Sequence, residues 1–185
     1  QTRKDGYKHL YLCALGKNGS RMASNTVSLD VKQLTSGEWE VMEVLGFNAK
    51  RHEIVIASNE ANPIQRNIFA VSVDNGKRRL VDDNGKGWHN SVLSEDGTSL
   101  YDNYSTPDIP RNIAIVDIAS GKKTSYFKAE NPWKGYDVPE YSCGTLKADD
   151  GKTDLYYRMV KPTNFDPNKK YPVIMHQYSG PGSQQ

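Results

Sequence analysis

A near-repeat of one segment at a fixed spacing constrains this chain more than any other feature. Arg66-Asn67-Ile68-Phe69-Ala70-Val71-Ser72-Val73-Asp74-Asn75-Gly76-Lys77 returns 45 residues later as Arg111-Asn112-Ile113-Ala114-Ile115-Val116-Asp117-Ile118-Ala119-Ser120-Gly121-Lys122. Both copies read Arg-Asn, an apolar run, a polar turn, then Gly-Lys. The run suits a strand, and Asn75-Gly76 or Ser120-Gly121 suits a tight hairpin. A looser copy begins at Lys8-His9-Leu10-Tyr11-Leu12, with a longer insertion after it. Between the copies, Trp39 and Trp88 each follow a Gly-containing turn and open a strand, and the stretch from Ile54 to Ala57 takes the place of Ser99-Leu100-Tyr101. Four strands in about 45 residues is the spacing of β-propeller blades. A blade cannot bury both faces alone, so such repeats stack. The reading is a mainly β chain of about two to three four-stranded blades. The competing architecture is an open meander or sandwich with a chance echo.

The rest of the first 130 residues agrees with strands and turns. His9 to Leu15 is apolar and aromatic and ends at Gly16-Lys17-Asn18-Gly19. The stretches from Val27 to Leu34 and from Trp39 to Val44 alternate apolar with polar, and Glu53 to Ser58 is a further strand. No window before residue 130 carries a helical period. The composition then breaks. Residues 131–140 hold two prolines and a glycine without any period and read as a linker. Residues 141–185 read as a second, different unit. Tyr141 to Lys147 is a strand, Ala148-Asp149-Asp150-Gly151-Lys152 a hairpin turn, and Asp154 to Val160 the return strand, stopped by Pro162. Pro172 to Gln177 contains the run Val173-Ile174-Met175 and reads as a strand buried on both faces. The Gly180-Pro181-Gly182 loop beyond it is a common kind of place for a ligand or a reacting group.

Charge and composition exclude several classes. The formal net charge is +2 with 25% charged residues, and the basic residues are scattered among acids, so no nucleic-acid stripe is present. No apolar run is long enough to cross a bilayer as a helix. Cys13 and Cys143 stand far apart and outside any Cys-x-x-Cys pair. They read as small apolar side chains in strands, with one long-range disulfide as the alternative. His9, His52, His89 and His176 lack metal-ligand spacing, and each reads as structural or as a surface residue. Asp82-Asp83-Asn84-Gly85 looks like a plain turn, since a distal Glu ligand for calcium is lacking. Asn18-Gly19-Ser20 and Asn103-Tyr104-Ser105 match the glycosylation pattern. No metal or cofactor is implied.

Two segments carry a family resemblance. The stretch from Met159 to Val173, with its Lys169-Lys170-Tyr171-Pro172, resembles the start of the catalytic domain in the prolyl oligopeptidase group of serine peptidases. Tyr178-Ser179-Gly180-Pro181-Gly182-Ser183-Gln184 is similar to the Tyr-x-Gly-Pro-x-Ser-Gln loop of its dipeptidyl peptidase IV branch. Gly6 to His9 and Gly37 to Val41 look like that branch's propeller. The resemblance implies the last blades of an eight-bladed propeller followed by the first strands of an α/β-hydrolase domain. It implies that Tyr178 donates its hydroxyl to the oxyanion, beside a backbone N–H near the nucleophile. One such donor contributes roughly 2.7–4 kcal/mol of transition-state stabilisation. The implied substrates are peptides with Pro or Ala in second position, and the implied parent is a homodimer outside the cytoplasm. No Gly-x-Ser-x-Gly elbow occurs in the chain. Ser179 and Ser183 precede the helix that should follow the third strand, so neither is a nucleophile. The resemblance puts the catalytic Ser, Asp and His beyond residue 185 and the amine-binding glutamate pair before residue 1; Glu38, Glu40 and Glu43 read as solvated charges. The chain alone is therefore expected to be inactive. The alternative is a non-enzymatic propeller that binds proteins or peptides.

Overall fold

A computed structural model describes residues 2–4, 6–13 and 31–177. The chain forms two compact units, Gln1–Glu130 and Asn131–Gln185. All of the regular structure described is β.

The first unit begins with β1 (Tyr11–Cys13) and β2 (Val31–Gln33), paired antiparallel. Next come β3 (Val41–Asn48), β4 (Glu53–Ser58), β5 (Asn67–Ser72) and β6 (Arg78–Leu80), a four-stranded antiparallel meander in chain order. The second sheet repeats that plan. Its first strand is split into β7 (Trp88–His89) and β8 (Val92–Leu93), and both pair with β9 (Ser99–Thr106). Then follow β10 (Ile109–Asp117) and β11 (Lys123–Lys128). The split answers two register shifts in β3, so both inner strands are irregular at the same place in the repeat. Such a meander, four strands per repeat, is a propeller blade.

The repeated segment supplies the third strand of each blade and its hairpin. In the first, Gly76 N–H donates to Ser72 O at 2.8 Å and Ser72 N–H to Lys77 O at 2.9 Å. In the second, Gly121 N–H donates to Asp117 O at 2.8 Å and Asp117 N–H to Lys122 O at 2.9 Å. Both glycines take positive φ, 70° and 69°, which a side chain resists. The looser copy at Leu10 has the same role. Leu34 N–H donates to Leu10 O at 2.9 Å, as Val81 N–H does to Ile68 O at 2.9 Å. So β1 and β2 are the outer half of a preceding blade.

Alternation along β4 and β5 explains the packing. One face, Val55, Ala57, Ile68 and Ala70, meets Leu100, Val116 and Ile118 of the second blade in one buried cluster. The other, Ile56 and Val71 with the partly buried Ile54 and Phe69, meets Leu10 and Leu34. A strand with both faces covered must be apolar at nearly every position, and Ile54-Val55-Ile56-Ala57 is. Each fully buried Ile, Leu or Val contributes about 1.5–3 kcal/mol of hydrophobic stabilisation. Arg79 ties the blades from the outside, with Nη2 donating to Glu53 Oε2 at 2.7 Å and to Ile118 O at 2.8 Å.

In the second unit, β12 (Glu140–Lys147) and β13 (Asp154–Lys161) form a hairpin in continuous register. Asp150 organises its turn, accepting from the N–H groups of Lys152 and Thr153 at 2.8 Å each. Gly144 lies opposite Tyr157, whose hydroxyl would stand 2.5 Å from a Cβ there, so the ring covers bare backbone.

Four expectations change. The ladders place Glu53 opposite Ser72 and Ser99 opposite Asp117, so Glu53 and not Ile54 corresponds to Ser99. The connection from β9 to β10 is one residue shorter than that from β4 to β5, with Tyr104 pairing Asn112 where Ser58 pairs Asn67, and this slips the repeat by one. The strand after Trp39 starts at Val41, because the tryptophan packs its ring against His9. Cys13 and Cys143 lie in strands and are free, as read from the sequence, but both are exposed, each on a two-stranded ribbon with little to cover it. Val173, Ile174 and Met175 are in no strand and are 87%, 97% and 84% exposed. A strand buried on both faces needs neighbours at its edges and layers above and below, and no described residue supplies them.

Candidate functional site

The residue on which the functional reading turns, Tyr178, lies outside the described residues, as do Ser179 and Ser183. His176, just before it, is exposed. Asn18 also lies outside the description. Asn103, the other glycosylation-pattern asparagine, sits inside β9 and its Oδ1 accepts from Arg111 Nε at 3.1 Å. It is held in a paired strand, not displayed on a loop. Glu38 is exposed, and Glu43 pairs at the surface with Arg66, whose Nη2 lies 2.5 Å from its carboxylate.

The described residues do contain a buried Ser, His and Asp in contact. Ser91 and His89 flank the break between β7 and β8, and Asp102 comes from the buried face of β9 beside Leu100 and Tyr104. His89 Nδ1 is 2.8 Å from Asp102 Oδ1, as an activating carboxylate would be. The remainder of the geometry is wrong for nucleophilic attack. Ser91 donates its hydroxyl to Asp102 Oδ1 at 2.8 Å, not to the imidazole. His89 Nε2, the nitrogen that would take a serine proton, lies 2.8 Å from Lys86 O. All three side chains are buried, so no substrate reaches them. The cluster is structural: a polar knot between the inner strands of the second blade and the loop leaving the first. Within it Asp83 N–H donates to Asp102 Oδ2 at 2.7 Å.

Asp82, expected in a plain turn, belongs to the same knot. Its Oδ2 accepts from Asn67 Nδ2 at 3.1 Å and from Ile68 N–H at 3.0 Å, and Oδ1 from Gly85 N–H. In the preceding blade His9 and Thr35 stand where Asn67 and Asp82 do. His9 Nδ1 is 3.1 Å from Thr35 Oγ1, which also accepts from Leu10 N–H at 2.9 Å. So a short acceptor after each outer strand clasps the start of the neighbouring third strand. The sequence hides it because one blade uses Asn with Asp and the other His with Thr. The visible signal is a carboxylate in an apolar column, Leu100-x-Asp102-x-Tyr104. Among the described residues, no group of His, Cys, Asp and Glu is arranged to hold a metal ion.

Comparison with known proteins decides the family. The model of the dipeptidyl peptidase IV N-terminal region matches residues 1–111, more than half of the chain. The chain belongs to the dipeptidyl peptidase IV family. Within that family it is 34% identical over 159 residues to a Podospora anserina protein assigned as dipeptidyl-aminopeptidase B, covering 82% of this chain and 17% of that one. It is 30% identical over 186 residues to dipeptidyl peptidase 4 of Trichophyton equinum, covering 97% of this chain and 22% of that one. Among solved structures, Porphyromonas gingivalis dipeptidyl peptidase 4 superposes over 100% of this chain and 25% of its own, with TM-score 0.83 and 27% identity. A Bacteroides ovatus structure assigned as dipeptidyl aminopeptidase IV covers 77% of this chain and 20% of its own, with TM-score 0.68 and 47% identity. The chain thus spans about a fifth of the length of these relatives, and its two full sheets are consecutive blades of a family propeller.

Proposed function

We propose that this chain is the propeller–hydrolase junction of a serine exopeptidase that releases N-terminal Xaa-Pro or Xaa-Ala dipeptides. The observation that carries the reading is the family match over the blades, together with a superposition on a dipeptidyl peptidase 4 that runs the whole length of the chain. Tyr178, delivered at the end of the segment from Tyr171 to Gln177, donates its hydroxyl to the oxyanion. The physical reason is that attack on a peptide carbonyl places negative charge on its oxygen, and a preplaced donor stabilises that charge more than the neutral carbonyl. The nucleophile, its base and the acids that bind the substrate's amine come from other parts of the full-length protein. The full-length protein acts outside the cytoplasm as a homodimer, on the family resemblance alone. The test is hydrolysis of a Xaa-Pro chromogenic dipeptide by the full-length protein and by residues 1–185. The full-length protein should turn over and the 185-residue chain should not. A full-length protein inert on Xaa-Pro and Xaa-Ala alike refutes the reading.

A further inference from the structure

The buried imidazole of His89 meets only acceptors, and that has a consequence for its charge. Nδ1 faces the Asp102 carboxylate and Nε2 faces the Lys86 carbonyl, each at 2.8 Å. A neutral imidazole has one N–H and one lone pair. In either neutral tautomer one ring nitrogen would point its lone pair at another lone pair, on a ring with no exposed surface. A carbonyl cannot donate. The proton could sit on Asp102 instead, but that carboxylate already accepts from Ser91 Oγ–H and Asp83 N–H, and hydrogen bonds of this kind favour its ionised form. We propose that His89 is held as an imidazolium and is the charged clasp that joins the two complete blades.

The surroundings support a cation. From the loop after β6, Asp82 Oδ2 lies 3.9 Å from Nε2, a second negative charge on the side away from Asp102. From β9, Tyr104 stacks on the ring at 4.9 Å between centroids. From the residue just before β5, Arg66 approaches only the backbone, with Nε donating to His89 O at 2.8 Å, and its own charge is met by Glu43. Two carboxylates therefore face one imidazole. Burial by itself pushes the imidazole's pKa down; the bond from Asp102 and the charges of Asp82 and Asp102 outweigh it, and the pKa lies above the ordinary 6.5. Burial pushes Asp102 up, but the bonds from His89, Asp83 N–H and Ser91 hold it below its ordinary 3.8. The clasp also spans the blades: Asp82 is tied to Asn67 and Ile68 of the first, and His89 and Asp102 belong to the second.

The linkage has a definite sign. The imidazolium's contribution is fully present below the unfolded histidine pKa of about 6.5. Between there and the folded pKa, the folded state keeps a proton that the unfolded chain has lost. The folding equilibrium constant falls about tenfold per pH unit across that interval, then levels off above the folded pKa. Nitrogen-detected NMR of the histidine side chains in residues 1–185 reads the state directly. Both His89 ring nitrogens should remain protonated at pH 7, above the ordinary histidine pKa of about 6.5. In Asp102→Asn, His89 should lose its second ring proton at lower pH than in the unaltered chain, and the stability slope above about pH 6.5 should vanish. A neutral His89 at pH 7 overturns the proposal, whether its proton is lost or resides on Asp102. If the variant does not fold, the spectrum of the unaltered chain decides alone.

Discussion

Gly76 and Gly121 occupy the same hairpin position in successive blades, with the same backbone bonds and φ of 70° and 69°. They differ in what lies behind them. A Cβ on Gly76 would sit 2.7 Å from the carbonyl oxygen of Leu34, at the end of the preceding blade's outer strand, whereas a Cβ on Gly121 meets nothing within 4 Å. Alanine at either site costs about 1–2 kcal/mol for the left-handed conformation. It also narrows the unfolded ensemble, an effect common to both sites that cancels in the comparison. Only Gly76→Ala must in addition push a backbone carbonyl aside, an overpacking cost of typically 1–3 kcal/mol. Gly121→Ala should therefore destabilise the chain by about 1–2 kcal/mol and Gly76→Ala by about 2–5 kcal/mol. Thermal and urea unfolding measure the difference; each kcal/mol shifts the midpoint by about 2–4 °C for a chain of this size. Equal losses would refute the claim that the preceding blade closes over the first hairpin. A larger loss at Gly121 would mean that the blades are stacked otherwise than described.

The Glu53 carboxylate, gripped by Arg79 and Arg51, should be worth about 1.5–3 kcal/mol, so Glu53→Gln should lower the unfolding free energy by that amount, read as a lower urea midpoint at an unchanged m-value. Burial pushes its pKa up, but the bonds and charges of Arg79 and Arg51 hold it below the ordinary 4.5. Its contribution is thus present above pH 4.5 and lost as pH falls through the folded pKa, and the acid-unfolding profile of Glu53→Gln should be flatter there. Cys13 and Cys143, both exposed and unpaired, should each react with a thiol reagent in the absence of denaturant and reductant, giving two thiols per chain. Titration of fewer than two would contradict the exposure of one of them. Ile68→Ala, in the cluster between the blades, should cost about 2–5 kcal/mol, while Val92→Ala on the open face of the second blade should cost less than about 0.5 kcal/mol by the same unfolding assay.

The blades were legible in the sequence because their third strands keep one spelling. Arg-Asn, an apolar run and Gly-Lys fix the strand, its register and its hairpin together, and the weak copy at Leu10 falls into the same place. The inner strands were less so. Bulges in β3 and the break between β7 and β8 interrupt the two-residue period, and a one-residue difference in turn length moves the pairing of Glu53. The buried polar knot was invisible for another reason. His89 and Asp102 are 13 residues apart and meet only through the pairing of β7 with β9, which no local pattern states. The run Val173-Ile174-Met175 shows the limit of reading burial from hydrophobicity, since apolar residues are buried only where other elements cover them. Tyr178 is put forward only by the resemblance of its loop; composition and periodicity single out no more than an apolar run and a glycine-rich turn.

Turnover of the full-length protein carrying Tyr178→Phe is the most direct test of the functional reading. The ring and its packing are kept and one hydroxyl is removed. If that hydroxyl donates to the oxyanion, kcat on a Xaa-Pro dipeptide falls roughly 10²–10³-fold with KM little changed. A variant that retains nearly full kcat contradicts the assignment of Tyr178 and, with it, the role given to this segment in the reaction.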